Sequence, residues 1–220
     1  MFAYPDRALF RRVLPKNRIY GQTSASRAMR QRFVDQVEEI VWLYKLAPET
    51  IHLPATDDVR EIQIFSIAQR TPDLKEEILR TLDRAIPSLV FFELTFQGRV
   101  RFAAAYKRAS EADKAKQVVA AYYFTPWQAT DAPRPSLPVA IHMGSLYEQM
   151  LHRHMAATGL TPRPDETLAE TAERGNRIRA QELACQRLEA ALRREDQFNR
   201  KVEINADLRR NQQELAKLTA

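Results

Sequence analysis

Three carboxylates stand ahead of an alternating apolar stretch: Asp57, Asp58 and Glu61, followed by Ile62-Gln63-Ile64-Phe65. Carboxylates at the start of a strand can hold Mg²⁺ for phosphodiester cleavage. Such a site wants a lysine two residues beyond the strand carboxylate, and Gln63 stands there instead. Glu93-Leu94-Thr95 lacks that lysine too. As chemistry, the pattern is that of a degenerate metal-dependent nuclease built on Asp58 and Glu61. As structure, it is a turn followed by a solvated strand face.

The other reactive side chains are scattered. His152 and His154 are two apart, so a helix points them to different sides, and both read as surface residues. His52 and His142 have no partner in sequence. Cys185, the single cysteine, falls on a helical apolar stripe and reads as a small core residue. It excludes an internal disulfide and any zinc site built on several cysteines. The five glycines, Gly21, Gly98, Gly144, Gly159 and Gly175, are too far apart for a phosphate-cradling loop. Gly144-Ser145 lacks the second glycine of a nucleophile elbow. No catalytic residue, no metal and no cofactor is expected, and the balance of these readings is against an enzyme.

Charge carries a clearer signal. Residues 1–32 hold Arg7, Arg11, Arg12, Lys16, Arg18, Arg27, Arg30 and Arg32 against Asp6 alone, in a chain of net charge +6. The remainder is thus close to neutral, and the basicity belongs to the N-terminal segment. Clustered arginines neutralise phosphates and give salt-dependent nucleic-acid affinity. Arg11, Arg12, Lys16, Arg18, Arg27, Arg30 and Arg32 are the candidates for phosphate contact. An acidic protein surface would suit them as well.

The elements that must position these residues follow from periodicity. The chain of 220 residues, 45% hydrophobic and 28% charged, is long enough for a real core. No run of 18 apolar residues occurs, so no membrane span is expected. The start, Met1-Phe2-Ala3-Tyr4-Pro5-Asp6, lacks the pattern of a secretion signal, which points to a cytoplasmic protein. Residues 1–23 read as irregular or as a short helix near Arg7–Val13. Ser24 or Ser26 caps a helix expected to run to about Leu46, with Met29, Phe33, Val37, Ile40, Val41 and Tyr44 on one face. Pro48 closes it, and residues 50–53 read as a short strand. Residues 61–68 alternate as a half-buried strand. A helix follows from Thr71-Pro72-Asp73 to Ile86. Ser88–Phe96 and Val100–Tyr106 form a hairpin around Gly98, and Val118–Phe124 adds another strand. Residues 125–138, with four prolines, form an ordered loop. Ser145 to Glu148 is a capping-box pattern that opens a short helix ending at Gly159.

Asp165 to Lys217 contains no proline. As one helix it would reach ~80 Å, with a kink at Gly175-Asn176. Ile178, Cys185 and Leu192 repeat by seven, with Leu188 and Val202 interleaved, and Gln181, Glu195 and Asn199 weaken this ladder. Ile204, Leu208, Asn211, Leu215 and Leu218 form a second ladder. The two are out of phase, and the shift falls around Phe198 to Ile204. So polar a helix needs a partner for one stripe. Leu188, Leu192, Phe198, Val202, Ile204, Leu208, Leu215 and Leu218 are the candidate partner-binding residues. The expected architecture is α+β: a mainly antiparallel sheet of about five strands with helices packed on it (residues 1–160), then a long coiled-coil-like helix (161–220).

Leu14-Pro15-Lys16-Asn17-Arg18-Ile19-Tyr20 and Glu195-Asp196-Gln197-Phe198-Asn199-Arg200-Lys201-Val202-Glu203-Ile204-Asn205, with the order of elements between them, resemble the bacterial family called domain of unknown function 4391. The C-terminal segment is the more specific, since Gln-Phe-Asn-Arg-Lys-Val is not generic coiled-coil sequence. Members of that family tend to be encoded beside helicases and DNA methyltransferases of restriction or phage-defence type. The resemblance implies an accessory subunit whose partner is a larger protein such as a helicase or DNA methyltransferase, and it implies no catalytic residues. DNA and a second copy of the chain are the other expected partners, and no membrane is. The rival readings are the degenerate nuclease and a self-associating structural protein without nucleic-acid contact.

Overall fold

The computed structural model describes residues 1–109 and 117–219. The chain divides into two compact units, Met1–Thr161 and Pro162–Ala220.

In the first unit a short turn of 3₁₀ helix leads into β1 (Leu9–Val13), α1 (Lys16–Thr23) and α2 (Arg27–Gln36). Ser26 caps α2, its Oγ accepting a hydrogen bond from the Met29 amide at 3.2 Å. The chain then enters β2 (Val37–Leu46). The helix expected to reach Leu46 therefore stops ten residues early. Val37, Ile40, Val41, Trp42 and Tyr44 are β-branched or aromatic and suit a pleated surface. Two register shifts in the pairing of β2 with its neighbour break strict alternation, and the broken alternation imitates a helical stripe. The expected helix near Arg7–Val13 is likewise a strand.

Pro48 opens a turn of helix, α3 (Pro48–Ile51), where a strand was expected. Proline at the first helical position sacrifices no hydrogen bond. Then come β3 (Ile62–Gln69), α4 (Glu76–Ala85), β4 (Leu89–Phe96), β5 (Arg99–Ala109), β6 (Gln117–Phe124), a two-residue β7 (Gln128–Ala129) and α5 (Met143–Ala157). The polar stretch from Lys107 to Lys116, expected as a connection, is still strand as far as Ala109, with Lys107 buried, and residues 110–116 lie outside the described residues. Gln97 (φ 45°) and Gly98 (φ 73°) turn β4 into β5. Two left-handed residues match the twist of a tight hairpin. The cap of α5 is His142 rather than Ser145: its Nδ1 accepts from the Ser145 amide at 3.0 Å.

The sheet order is β1-β2-β3-β4-β5-β6, with β7 also on β5. Every pair is antiparallel except β3 with β4. That parallel pair needs a crossover, and α4 supplies it. Side chains alternate across the sheet. One face sends Phe65, Ile67, Val90, Phe92 and Leu94 against Ile19 of α1, Phe33 of α2 and Ile78, Leu79 and Leu82 of α4. The other sends Phe91 against Tyr147 and His154 of α5. His154 is therefore a core residue, not a surface one. It sits one turn after Met150 on the buried stripe, and its Nε2–H donates to the Tyr123 carbonyl at 2.7 Å.

A buried ion pair ties α4 to the sheet. Lys107 Nζ lies 2.6 Å from Asp83 Oδ1, with the two side chains 2% and 1% exposed. Lys107 also donates to the Ser88 carbonyl at 3.0 Å, and the Tyr122 hydroxyl donates to the other oxygen of Asp83.

The second unit holds α6 (Leu168–Arg194) and α7 (Phe198–Thr219). The long C-terminal helix is thus interrupted, and its two parts pack antiparallel on each other. α6 runs through Gly175 without interruption. The break is at Glu195, which is extended. Its Oε1 accepts the Asp196 and Gln197 amides at 3.0 Å each. A carboxylate there satisfies orphan donors at the start of α7. Gln181 and Asn211, the polar positions of the two ladders, hydrogen-bond each other at 2.8 Å. Arg174 grips Glu166 with two bonds of 2.7 Å, and its guanidinium lowers the Glu166 pKa to about 2.

Candidate nucleic-acid interface

The basic segment supplies β1, α1 and α2. β1 is the outermost strand on its side of the sheet, and α1 and α2 both touch α4, which places them on one face. The candidate cations therefore lie on the outermost strand and on two helices that pack beside α4.

Their surroundings differ. Arg11, Arg12, Arg18, Arg27 and Arg30 are exposed. None of the five has a carboxylate within ion-pair distance among the described residues. Arg30 donates from Nε to the Ala25 carbonyl at 3.0 Å and covers the Tyr20 ring at 5.4 Å. Arg12 covers Phe10 at 4.6 Å. Arg32 lies 3.9 Å from Glu77, with both side chains about half exposed. A surface pair of that kind holds weakly.

Lys16 turns inward. Its Nζ donates to the carbonyls of Phe33 and Val37, at the end of α2. A cation suits the carbonyl end of a helix. Burial and the nearby Arg70 lower its pKa, with Glu38 acting the other way. It holds α1 against the end of α2.

Neither α1 nor α2 carries an acidic residue in its first turn, while Arg27 and Arg30 crowd the start of α2. Positive charge at the positive end of the dipole costs stability unless an anion relieves it. No acidic side chain does so within ion-pair distance among the described residues.

The carboxylate group fares differently. Asp57 and Asp58 are exposed and line a cleft with Arg60, Glu61, Pro87, Ser88 and Leu89. Glu61 accepts from Ser88 Oγ at 2.6 Å and from the Gln63 amide, and Lys45 Nζ lies 3.4 Å away. Burial works to raise its pKa, but these bonds and Lys45 lower it on balance. Lys45 stands opposite Gln63 in the β2–β3 pairing, so a neighbouring strand brings a lysine to the place where position 63 lacks one. Among the described residues no group of three His, Cys, Asp or Glu side chains could hold a metal ion. Glu93, the other strand carboxylate, is gripped by Arg134 at 2.7 and 3.2 Å.

Of the partner-binding candidates, Leu208 is buried and Leu188, Leu192, Ile204, Leu215 and Leu218 are half-buried. Phe198 and Val202 are 77% and 53% exposed. They are one turn apart at the start of α7.

The aromatic rings beneath Arg12 and Arg30 escaped the sequence reading. Phe10-Arg11-Arg12 and Arg18-Ile19-Tyr20 hold the signal, since aromatic residues interleave with the basic ones.

The class of protein is thus an α+β sheet domain with a basic N-terminal segment, joined to an antiparallel helical pair, with no helix long and apolar enough to cross a membrane among the described residues. The family described as domain of unknown function 4391 matches residues 2–215, and the chain belongs to that family. No curated protein and no solved structure matches it.

Proposed function

We infer that the protein is a non-catalytic subunit of a bacterial DNA-directed defence assembly, which it joins through its C-terminal helices while its N-terminal segment contacts the DNA backbone. One observation carries the reading: Arg11, Arg12, Arg18, Arg27 and Arg30, on β1, α1 and α2, face solvent without carboxylate partners among the described residues. Exposed arginines of this kind bind phosphates by releasing counterions. The partner is a larger subunit such as a helicase or DNA methyltransferase, as the family resemblance suggests. The exposed Phe198 and Val202 supply the apolar contact for it.

The test is the salt dependence of DNA affinity. The variant Arg11→Gln/Arg12→Gln/Arg18→Gln/Arg27→Gln should bind more weakly and flatten the slope of log affinity against log salt. The flattening should be about 0.9 for each duplex phosphate that an arginine no longer neutralises. An unchanged slope in a folded variant sinks the assignment.

A further inference from the structure

We propose that the β1 edge is a base-stacking platform for single-stranded DNA, with the Arg12 guanidinium as its outer plane. The proposal rests on the DNA-contact reading above and names the form of DNA.

Four planar groups follow one another from core to surface. Phe65 is buried, and Trp42 lies over it with ring centres 5.9 Å apart at 21°. Phe10 meets Trp42 at 4.2 Å, with the rings tilted by 45°. Arg12 covers Phe10 at 4.6 Å and is exposed. A planar, weakly hydrated cation held on a rigid ring offers its outer face to another ring. The bases of a single strand present such faces, whatever their sequence. Inside a duplex those faces are covered by neighbouring base pairs, so a duplex can use only the charges.

The backbone beneath the platform is unusual. Leu9 pairs with Tyr44 and Arg12 with Trp42, so two residues of β1 stand against one of β2. This is a bulge, and Arg11 within it has φ 49°. Glycine adopts that conformation without strain, and a β-carbon does not. Bulges at sheet edges re-aim side chains, and strained residues persist where the surroundings over-determine them. Exposed Arg11 adjoins Phe10 and Arg12 in the chain, so its charge is available to the strand's phosphates. The arrangement recurs nearby: exposed Arg30 covers Tyr20 at 5.4 Å, and Tyr20 meets buried Phe33 edge-on at 5.6 Å. Both ladders end on an arginine within the basic segment.

The full-length protein should be titrated into fluorescein-labelled oligo-dT and into a duplex of matched length, at the same salt, by anisotropy. The single strand should bind more tightly. Arg12→Lys keeps the charge and removes the plane. It should weaken oligo-dT binding about tenfold, the scale of one stacked base, lower duplex affinity far less, and leave the melting temperature unchanged. Arg11→Gly should melt no lower than wild type, because strain is relieved, and yet bind oligo-dT less well. A duplex bound as tightly as the single strand, or Arg12→Lys with wild-type affinity for oligo-dT, overturns the platform while leaving backbone contact standing. Binding to neither DNA overturns both.

Discussion

Removing the carboxylate of Asp83 should strongly destabilise the first unit. Lys107 Nζ is 2.6 Å from Asp83, and both side chains are at most 2% exposed. Asp83→Asn would leave the ammonium with the Ser88 carbonyl, 3.0 Å away, and no countercharge from Asp83. Breaking one half of a buried pair costs about 3–5 kcal/mol, against a total of about 5–15 for a typical protein. At ~2–4 °C per kcal/mol for a unit of this size, the midpoint should fall by about 6–20 °C. Trp42 and Trp127 are the two tryptophans of the chain and both lie in the first unit. Their fluorescence in urea therefore reports that unit alone. Replacing the whole cluster, Asp83→Leu/Lys107→Met/Tyr122→Phe, removes both charges and the phenol that donates to Asp83. That variant should lie within about 2 kcal/mol of wild type. A cost below about 1 kcal/mol for Asp83→Asn, or a triple variant no better than the single one, would refute the reasoning.

Two pH windows should separate the units. Burial lowers the His154 pKa to about 4, despite the opposing bond to Tyr123. An unfolded His titrates near 6.5, so the first unit should be fully stable above that pH. It should weaken by up to about 3 kcal/mol between pH 6.5 and 4, followed by tryptophan fluorescence, and His154→Gln should flatten this window. Glu166, held at about 2 by Arg174, contributes stability above its unfolded value near 4.5. The helicity of the second unit should therefore soften as pH falls from 4.5 toward 2, and in Glu166→Gln it should be weaker at neutral pH and less pH-dependent. Phe198→Ala/Val202→Ala should leave helicity intact and weaken co-purification with the native partner more than Leu215→Ala/Leu218→Ala, since the first pair is exposed and the second half-buried. The reverse order in a pull-down would place the contact elsewhere.

The strands around Gly98 were legible because turn chemistry and a continuous apolar run agree there. The ten residues after Gln36 were not. Bulges in β2 set Val37, Ile40, Val41 and Tyr44 at helical intervals, and periodicity alone cannot tell that from a stripe. The phase shift near Phe198 was visible and meant a fold-back rather than a change of register. Gln181 and Asn211 looked like flaws in two ladders, yet each is the other's partner. Of the basic segment, the charge was legible and the commitment of Lys16 was not. Its contacts are backbone carbonyls seventeen and twenty-one residues away, and no side-chain pattern announces those. The lysine opposite Gln63 was hidden for the same reason, because strand pairing rather than sequence spacing puts Lys45 there.

Amide hydrogen exchange of the full chain with and without oligo-dT tests the proposed DNA contact at β1 most directly. Protection should rise in β1 and around Arg18 to Arg32, and stay unchanged at the Asp57–Glu61 cleft and in α6. Protection centred on that cleft, with none at β1, would contradict the account and favour the acidic group as the site that meets nucleic acid.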